Sequence, residues 1–274
     1  MMTPTAERIV TVEREGALGW LTLNRPAQAN SINRHLAAEV IEALSTLGTD
    51  PDIRVLIITG AGKLFCGGAD LKSVTADREA GHPNPSGDLC DALAAGEIPV
   101  IAMINGAAVG GGCEIALCCD LRVMASSAVM ALPEIRFGAL PAAGGTQRMS
   151  RAAGIALASE YIMTGRTIPA NEALRTGLVN RVTEPDDLRQ QTRDLAELVA
   201  SRARYALVAA KSLIVGASET PLAEGIPRES QVIADMATPE EREAEQQRAA
   251  AATTTYAKLF PADRPAGGML LGRR

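Results

Sequence analysis

Pro99-Val-Ile-Ala-Met-Ile-Asn-Gly-Ala-Ala-Val-Gly-Gly-Gly-Cys-Glu114 is an apolar run that breaks abruptly into glycine. Its first part, Pro99–Ile104, is short and has no polar face, the pattern of a strand covered on both sides. The glycines then end the strand, and a second apolar segment runs from Cys113 to Cys119. Upstream, Arg54-Val-Leu-Ile-Ile-Thr59 repeats the same logic and is rich in β-branched residues, Val55, Ile57, Ile58 and Thr59. It too is followed by a glycine stretch, Phe65-Cys-Gly-Gly-Ala-Asp-Leu-Lys72. Covered strands that open into glycine at their carboxyl ends imply α/β architecture, and ligands favour those ends.

Working outward, Arg8 to Asn24 reads as two strands around a turn at Gly16–Gly19, stopped by Asn24-Arg-Pro26. Ser31 and Asn33 are candidate N-caps for a helix whose apolar stripe is Leu36, Val40, Leu44 and Leu47. Residues 73–87 are polar, contain Gly81, Pro83, Pro85 and Gly87, and are expected to form a mobile surface loop. A short helix is expected at Leu89–Ala95, and strands at Leu121–Ala125 and Val129–Leu132. Beyond Gly145 helical patterns dominate: Thr146–Ala153, Ala156–Met163, Ala170–Thr176, Leu188–Ser201, Tyr205–Val215, Leu222–Ala237 and Pro239–Lys258. The expected organisation is an α/β core over 1–200, a helical module over 201–260 and a flexible tail over 261–274.

Composition narrows the function. Lys+Arg 27 against Asp+Glu 32 leaves a net charge of −5, so there is no basic excess to coat nucleic acid. Aromatics are only 3%, too few for base-stacking platforms or sugar clefts. Two histidines disfavour a histidine-rich metal site, and no metal is expected. The five cysteines form no CxxC pair and read as reduced thiols, consistent with a cytoplasmic protein. No secretory leader and no membrane span are expected. Thr59-Gly-Ala-Gly-Lys63 follows a strand but lacks the spacing of a phosphate loop.

Chemistry is concentrated in three glycine-containing segments: 65–72, 105–114, and Leu132-Pro-Glu134 through Pro141, Gly144, Gly145 and Arg148. Glycine at strand ends frees backbone N–H groups to face a ligand, and two aimed at one oxygen make an oxyanion hole. Glu114 and Glu134 each sit in apolar surroundings. If buried, their pKa values rise and they become candidates for acid and base work. Their separation of twenty residues says nothing about their distance in space.

Taken together, Gly-Gly-Ala-Asp70, Asn105-Gly through Gly-Gly-Gly-Cys-Glu114, and Pro133-Glu through Gly-Gly-Thr-Gln-Arg148 resemble the crotonase, or enoyl-CoA hydratase/isomerase, superfamily. The resemblance runs from Trp20-Leu-Thr-Leu-Asn-Arg-Pro26 to about Val182 and includes Leu174-Arg-Thr-Gly-Leu-Val179. It implies a spiral of ββα repeats with a helical C-terminal trimerisation module, assembling as a homotrimer or a dimer of trimers. It implies an acyl-CoA thioester as substrate, with coenzyme A part of that substrate and no separate cofactor. The N–H groups of Ala69 and Gly111 would form the oxyanion hole. Lys72 would lie near the nucleotide phosphates of CoA. Arg25, Ala27 and Ala29 would lie along the adenine and pantetheine, with Asp70, Leu71, Pro141 and Ala142 completing the substrate-binding set.

Glu at both 114 and 134 looks like the hydrating members, in which one water is held between two carboxylates. The expected activity is therefore reversible addition of water across the 2,3 double bond of an enoyl-CoA. Alternatives are a carnitinyl-CoA-type dehydratase, an enoyl-CoA isomerase, or a non-catalytic CoA-binding scaffold. Two departures stand out. Ala142 occupies a position usually held by glycine, raising the question of a glycine-only φ there. The C-terminal stretch Ala249–Phe260 lacks the family's usual ending.

Overall fold

Val10–Glu15 (β1) and Leu18–Leu23 (β2) form an antiparallel hairpin, paired from Val10–Leu23 to Glu15–Leu18. Gly16 turns it at φ +57°. Asn33 then caps a helix at Arg34–Thr49 (α1), its side chain accepting from Leu36 N–H at 3.0 Å. Ser31 plays no such part. Val55–Gly60 (β3) is buried along its whole length, as its continuous apolar run predicts. These coordinates come from a computed structural model, which describes residues 8–251.

The segment after β3 corrects an expectation. Residues 73–87 are not an unstructured loop: Val74–Glu79 is helical (α2), and a helix at Pro85–Ala95 (α3) starts ahead of the expected Leu89. Asp77 is the reason for the first. It is 3% exposed, accepts from Ser73 Oγ at 2.7 Å, and pairs with the Arg34 guanidinium at 3.0 Å. Those donors outweigh its burial and hold its carboxyl below the usual carboxylate range, so the turn of helix is pinned against α1. Asn84 is the reason for the second. Its side chain caps α3 at Gly87 N–H, and Pro85 occupies the first turn, where its missing N–H costs nothing.

Val100–Ile104 (β4), also fully buried, runs parallel to β3. Ala108–Val109 (β5) leads into Gly111–Cys118 (α4), a helix with every residue buried. Leu121–Ala125 (β6) and Val129–Ala131 (β7) follow. Next come Gly145–Ala153 (α5), Ile155–Thr164 (α6), Ile168–Pro169 (β8), Ala170–Arg175 (α7), Arg181–Thr183 (β9), Leu188–Ala200 (α8) and Arg204–Gly216 (α9). Strands β5, β8 and β9 are too short to leave a period in the sequence.

The main sheet has six strands in the order β1-β2-β3-β4-β6-β9, parallel after the first pair. A second sheet, β5-β7-β8, stands beside it. Single parallel bridges, Ile32–Ala69 and Cys66–Ala108, extend that second layer back towards the N-terminus. The unit of long strand, short strand or bridge, then helix thus recurs along the chain, giving the expected ββα spiral. α8 lies across β2, β3, β4 and β6 and buries Leu188, Thr192, Leu195, Ala196 and Ala200, the helical spacing of one face.

The first compact unit ends at Leu222. α9 belongs to it because Lys211 is buried there, paired with Asp120 at 3.0 Å and donating to Ile98 O at 3.0 Å. The second unit carries the rest of Leu222–Asp235 (α10), with Pro227 inside it, and Pro239–Ala251 (α11). Thr238 and Glu241 form a reciprocal capping box at the start of α11. The expected tail, 261–274, and the expected helical residues 252–258 lie outside the described residues. No described helix is long and apolar enough to cross a membrane.

Candidate active site

The site is built at the N-terminus of α4. Gly110 precedes it at φ +54°, and a Cβ there would lie 3.0 Å from Glu134 Oε1. Only glycine satisfies both constraints. Gly110 N–H donates to Ala131 O at 2.9 Å, which ties the start of α4 to the end of β7. That bond brings the two distant glutamates to one place. Glu114 lies in the first turn of α4, and Glu134 opens the 3-10 turn Glu134–Phe137 just after β7.

The Gly67–Ala69 loop packs directly on this helix start. A Cβ on Gly68, whose φ is +92°, would meet Val109 O at 2.7 Å and Gly111 N at 3.2 Å. Ala69 is bridged to Ile32 through its neighbours: Ile32 N–H donates to Gly68 O, and Asp70 N–H donates to Ile32 O, both at 2.8 Å. In a parallel bridge this leaves the N–H of Ala69 facing the other way. Gly111 N–H is one of the first helical donors and has no carbonyl within its helix. Among the described residues neither N–H donates to a protein acceptor, and the two lie on adjoining segments.

The two carboxylates differ in their surroundings. Glu114 is 2% exposed, and its Oε1 accepts from Ala143 N–H at 2.7 Å and Gly145 N–H at 2.8 Å. Burial raises its pKa above the usual carboxylate value, while those N–H groups and the Arg148 charge hold it back. Glu134 has a buried Oε2 with no hydrogen-bond partner among the described residues. Burial raises its pKa, its own backbone N–H opposes this, and the nearby charge of Glu114 pushes it further up. Two carboxyl groups set apart by their surroundings are suited to opposite proton-transfer duties.

The remaining candidates divide. Arg25 and Asp70 pair with each other at 3.0 Å, and Arg25 also donates to Ser31 O at 2.5 Å. Their charged ends hold the 25–31 turn against the 69–72 loop. Ala29, at φ +55°, forms part of that turn, and Ala27 lies in its 3-10 segment. Lys72 is exposed and unpaired among the described residues, and Leu71 is 83% exposed beside it. Pro141 is buried and Ala142 exposed. Ala142 is not among the residues with positive φ, so alanine there is unstrained; Gly144, at φ +91°, makes the sharp turn instead.

Ala143 is the residue missed in the sequence, and like Gly145 it acts through backbone N–H; Ser86 packs against the start of α4. The Ser86 hydroxyl is 2.9 Å from where a Cβ on Gly111 would sit. The spacing of Gly144 and Gly145 before a helix was the only signal for Ala143. Cys66 packs beneath the loop with its thiol pushed up to about 12 by burial, which leaves it no nucleophilic role. No cluster suited to a metal ion occurs among the described residues.

Known proteins share both the sequence and the fold of this chain. The family model for enoyl-CoA hydratase/isomerase matches residues 13–253. This chain belongs to the enoyl-CoA hydratase/isomerase family. Among its relatives, the (E)-benzylidenesuccinyl-CoA hydratase of Thauera aromatica is 41% identical over 220 residues, covering 79% of this chain and 86% of that protein. The 2,3-dehydroadipyl-CoA hydratase of Escherichia coli is 38% identical over 232 residues, covering 84% and 91%. The crystal structure of an enoyl-CoA hydratase from Bacillus anthracis superposes with a TM-score of 0.83 at 35% identity, covering 87% of this chain and 95% of that one. The family's crotonase fold is therefore the fold of this chain.

Proposed function

We propose that this protein hydrates enoyl-CoA thioesters, reversibly, with Glu114 and Glu134 as the catalytic pair. The observation that carries the reading is the convergence of both carboxylates on the α4 N-terminus beside the free N–H groups of Ala69 and Gly111. Glu114, aimed by two N–H donors, takes a proton from water as its oxygen bonds to Cβ. The π electrons move to the thioester oxygen, which the N–H groups of Ala69 and Gly111 receive as an enolate. Glu134 then gives its proton to Cα. Proton exchange through the product returns both groups to their starting states.

Lys72, exposed and unpaired, is suited to the phosphates of the CoA nucleotide, and the turn at Ala27–Asn30 to its adenine. Arg25 and Asp70 support that turn through their own ion pair. Exposed Phe137, Leu140, Ile155 and Met163 favour assembly into a trimer or a pair of trimers. Five buried free cysteines fit a cytoplasmic setting.

The direct test is crotonyl-CoA with the pure protein and no added cofactor. Enone absorbance is expected to fall while a product heavier by one water forms. Bound thioester with no gain of water, or a shifted double bond, would sink the hydratase reading in favour of a scaffold or an isomerase.

The oxyanion assignment has its own test. Ala69→Pro, which deletes the N–H, is expected to lower kcat about a hundredfold to a thousandfold; Ala69→Ser, which keeps it, should cost about tenfold at most. Equal losses in the two variants would remove Ala69 N–H from the mechanism.

A further inference from the structure

We infer that Asn84 is a positioning residue for Glu114, acting through the peptide group between Ala142 and Ala143. Its kinetic consequence rests on the hydratase reading; its geometry does not.

Glu114 is aimed by N–H groups that belong to the 141–145 turn and not to its own helix. Pro141, Ala143 and Gly145 of that turn are buried, while Leu140 and Ala142 are exposed, so the carbonyl of Ala142 lies on the outer side of the turn, within reach of a donor from another segment. A peptide group is rigid, so fixing its carbonyl fixes its N–H. The carbonyl of Ala142 accepts from Asn84 Nδ2 at 2.8 Å, and the N–H of Ala143, in the same peptide group, donates to Glu114 Oε1 at 2.7 Å. One plane is thus clamped at both ends, with the amide of Asn84 on one side and the carboxylate on the other.

Asn84 is itself well placed to serve. Its Oδ1 accepts from Gly87 N–H at 3.1 Å, which orients the amide so that Nδ2 faces Ala142. Gly87 leaves room for it: a Cβ at 87 would lie 2.3 Å from Asn84 Nδ2. The residue needs an acceptor for the cap and a donor that reaches across to the turn. Asparagine supplies both. Serine supplies the acceptor but is too short to be the donor.

Asn84→Ser therefore separates the two duties, because serine caps helices about as well as asparagine. The expected result for Asn84→Ser and Asn84→Ala alike is a kcat reduced about tenfold or more on crotonyl-CoA, with KM within about twofold. A readout independent of turnover is hydrogen exchange at the amides of Ala143 and Gly145. It should quicken about tenfold or more in Asn84→Ser, while the α3 amides exchange as before.

If Asn84→Ser keeps wild-type exchange at Ala143 and Gly145, Asn84 is a helix cap only and the proposal is overturned, whatever the wild-type activity. If exchange quickens as expected but the wild-type protein adds no water to enoyl-CoA, the clamp stands and the hydratase reading falls. Quickened exchange with kcat unchanged in an active protein would also overturn the positioning role.

Discussion

Glu114→Gln is expected to lower kcat on an enoyl-CoA about a thousandfold while leaving CoA-ester affinity within about twofold. The amide oxygen of glutamine can still accept from Ala143 and Gly145 N–H, so the 141–145 turn keeps its anchor. What is lost is basicity. A neutral amide takes no proton from water, and the oxygen that attacks Cβ is then far less nucleophilic. Uniform binding should survive because the contacts of Glu114 are with the 141–145 turn, which glutamine preserves. Steady-state rates and calorimetric titration with a saturated acyl-CoA separate the two quantities. A variant that turns over near the wild-type rate would remove Glu114 from the chemistry. A variant that merely binds more weakly would reassign it to substrate binding.

Glu134→Gln is expected to lower kcat by a similar factor and, at the same time, to make the protein more stable at neutral pH. The second effect follows from the direction of its pKa. Glu134 Oε2 is buried without a partner, and burial and the charge of Glu114 raise the folded value above the usual 4.5. A carboxyl with a raised folded pKa binds its proton more tightly in the native state than in the unfolded one. Stability from that difference is present below about 4.5 and is lost as pH rises through the folded value. Glutamine does not ionise and escapes the loss. Thermal unfolding at pH 7 should show the variant higher by about 2–4 °C for each kcal/mol relieved. The gap should close towards pH 4, where wild-type Glu134 is protonated in both states. An unchanged or lower Tm at pH 7 would contradict the burial of an unpaired carboxylate. Gain of stability on loss of a reacting group is the pattern expected where function requires a group the fold disfavours.

Several elements were legible because their physics is local. The continuous apolar runs of β3 and β4 read as covered strands, and the stripe of Leu36, Val40 and Leu47 read as the buried face of α1. The glycines at 110, 144 and 145 also announced close approach of backbone to something. Glu114 and Glu134 could be picked out singly as acids in apolar settings, and family resemblance paired them. Their meeting in space depends on Gly110 N–H bonding to Ala131 O, a contact that no spacing encodes.

Other features were hidden for identifiable reasons. Residues 73–87 look like loop by composition, because they are polar with two glycines and two prolines, and the helix-pinning contact, Asp77 with Arg34, spans distant segments. Asn84 carried no signal of its own, since its donor to Ala142 reaches across to another turn. Ala143 works through its backbone N–H, and its side chain carries no trace of the role. The doubt over Ala142 came from assigning it the glycine-only conformation that the neighbouring Gly144 in fact adopts.

In the proposed mechanism one water is split across the double bond, its oxygen delivered under Glu114 and a proton under Glu134. The most direct measurement is the reaction of crotonyl-CoA in deuterium oxide enriched in heavy oxygen, read by mass spectrometry and proton NMR. The expected product carries solvent oxygen at Cβ and a single deuterium, on one face of Cα, and forms at a greatly reduced rate in either glutamine variant. Deuterium at Cγ with no solvent oxygen gained, or deuterium on both faces of Cα, would contradict it.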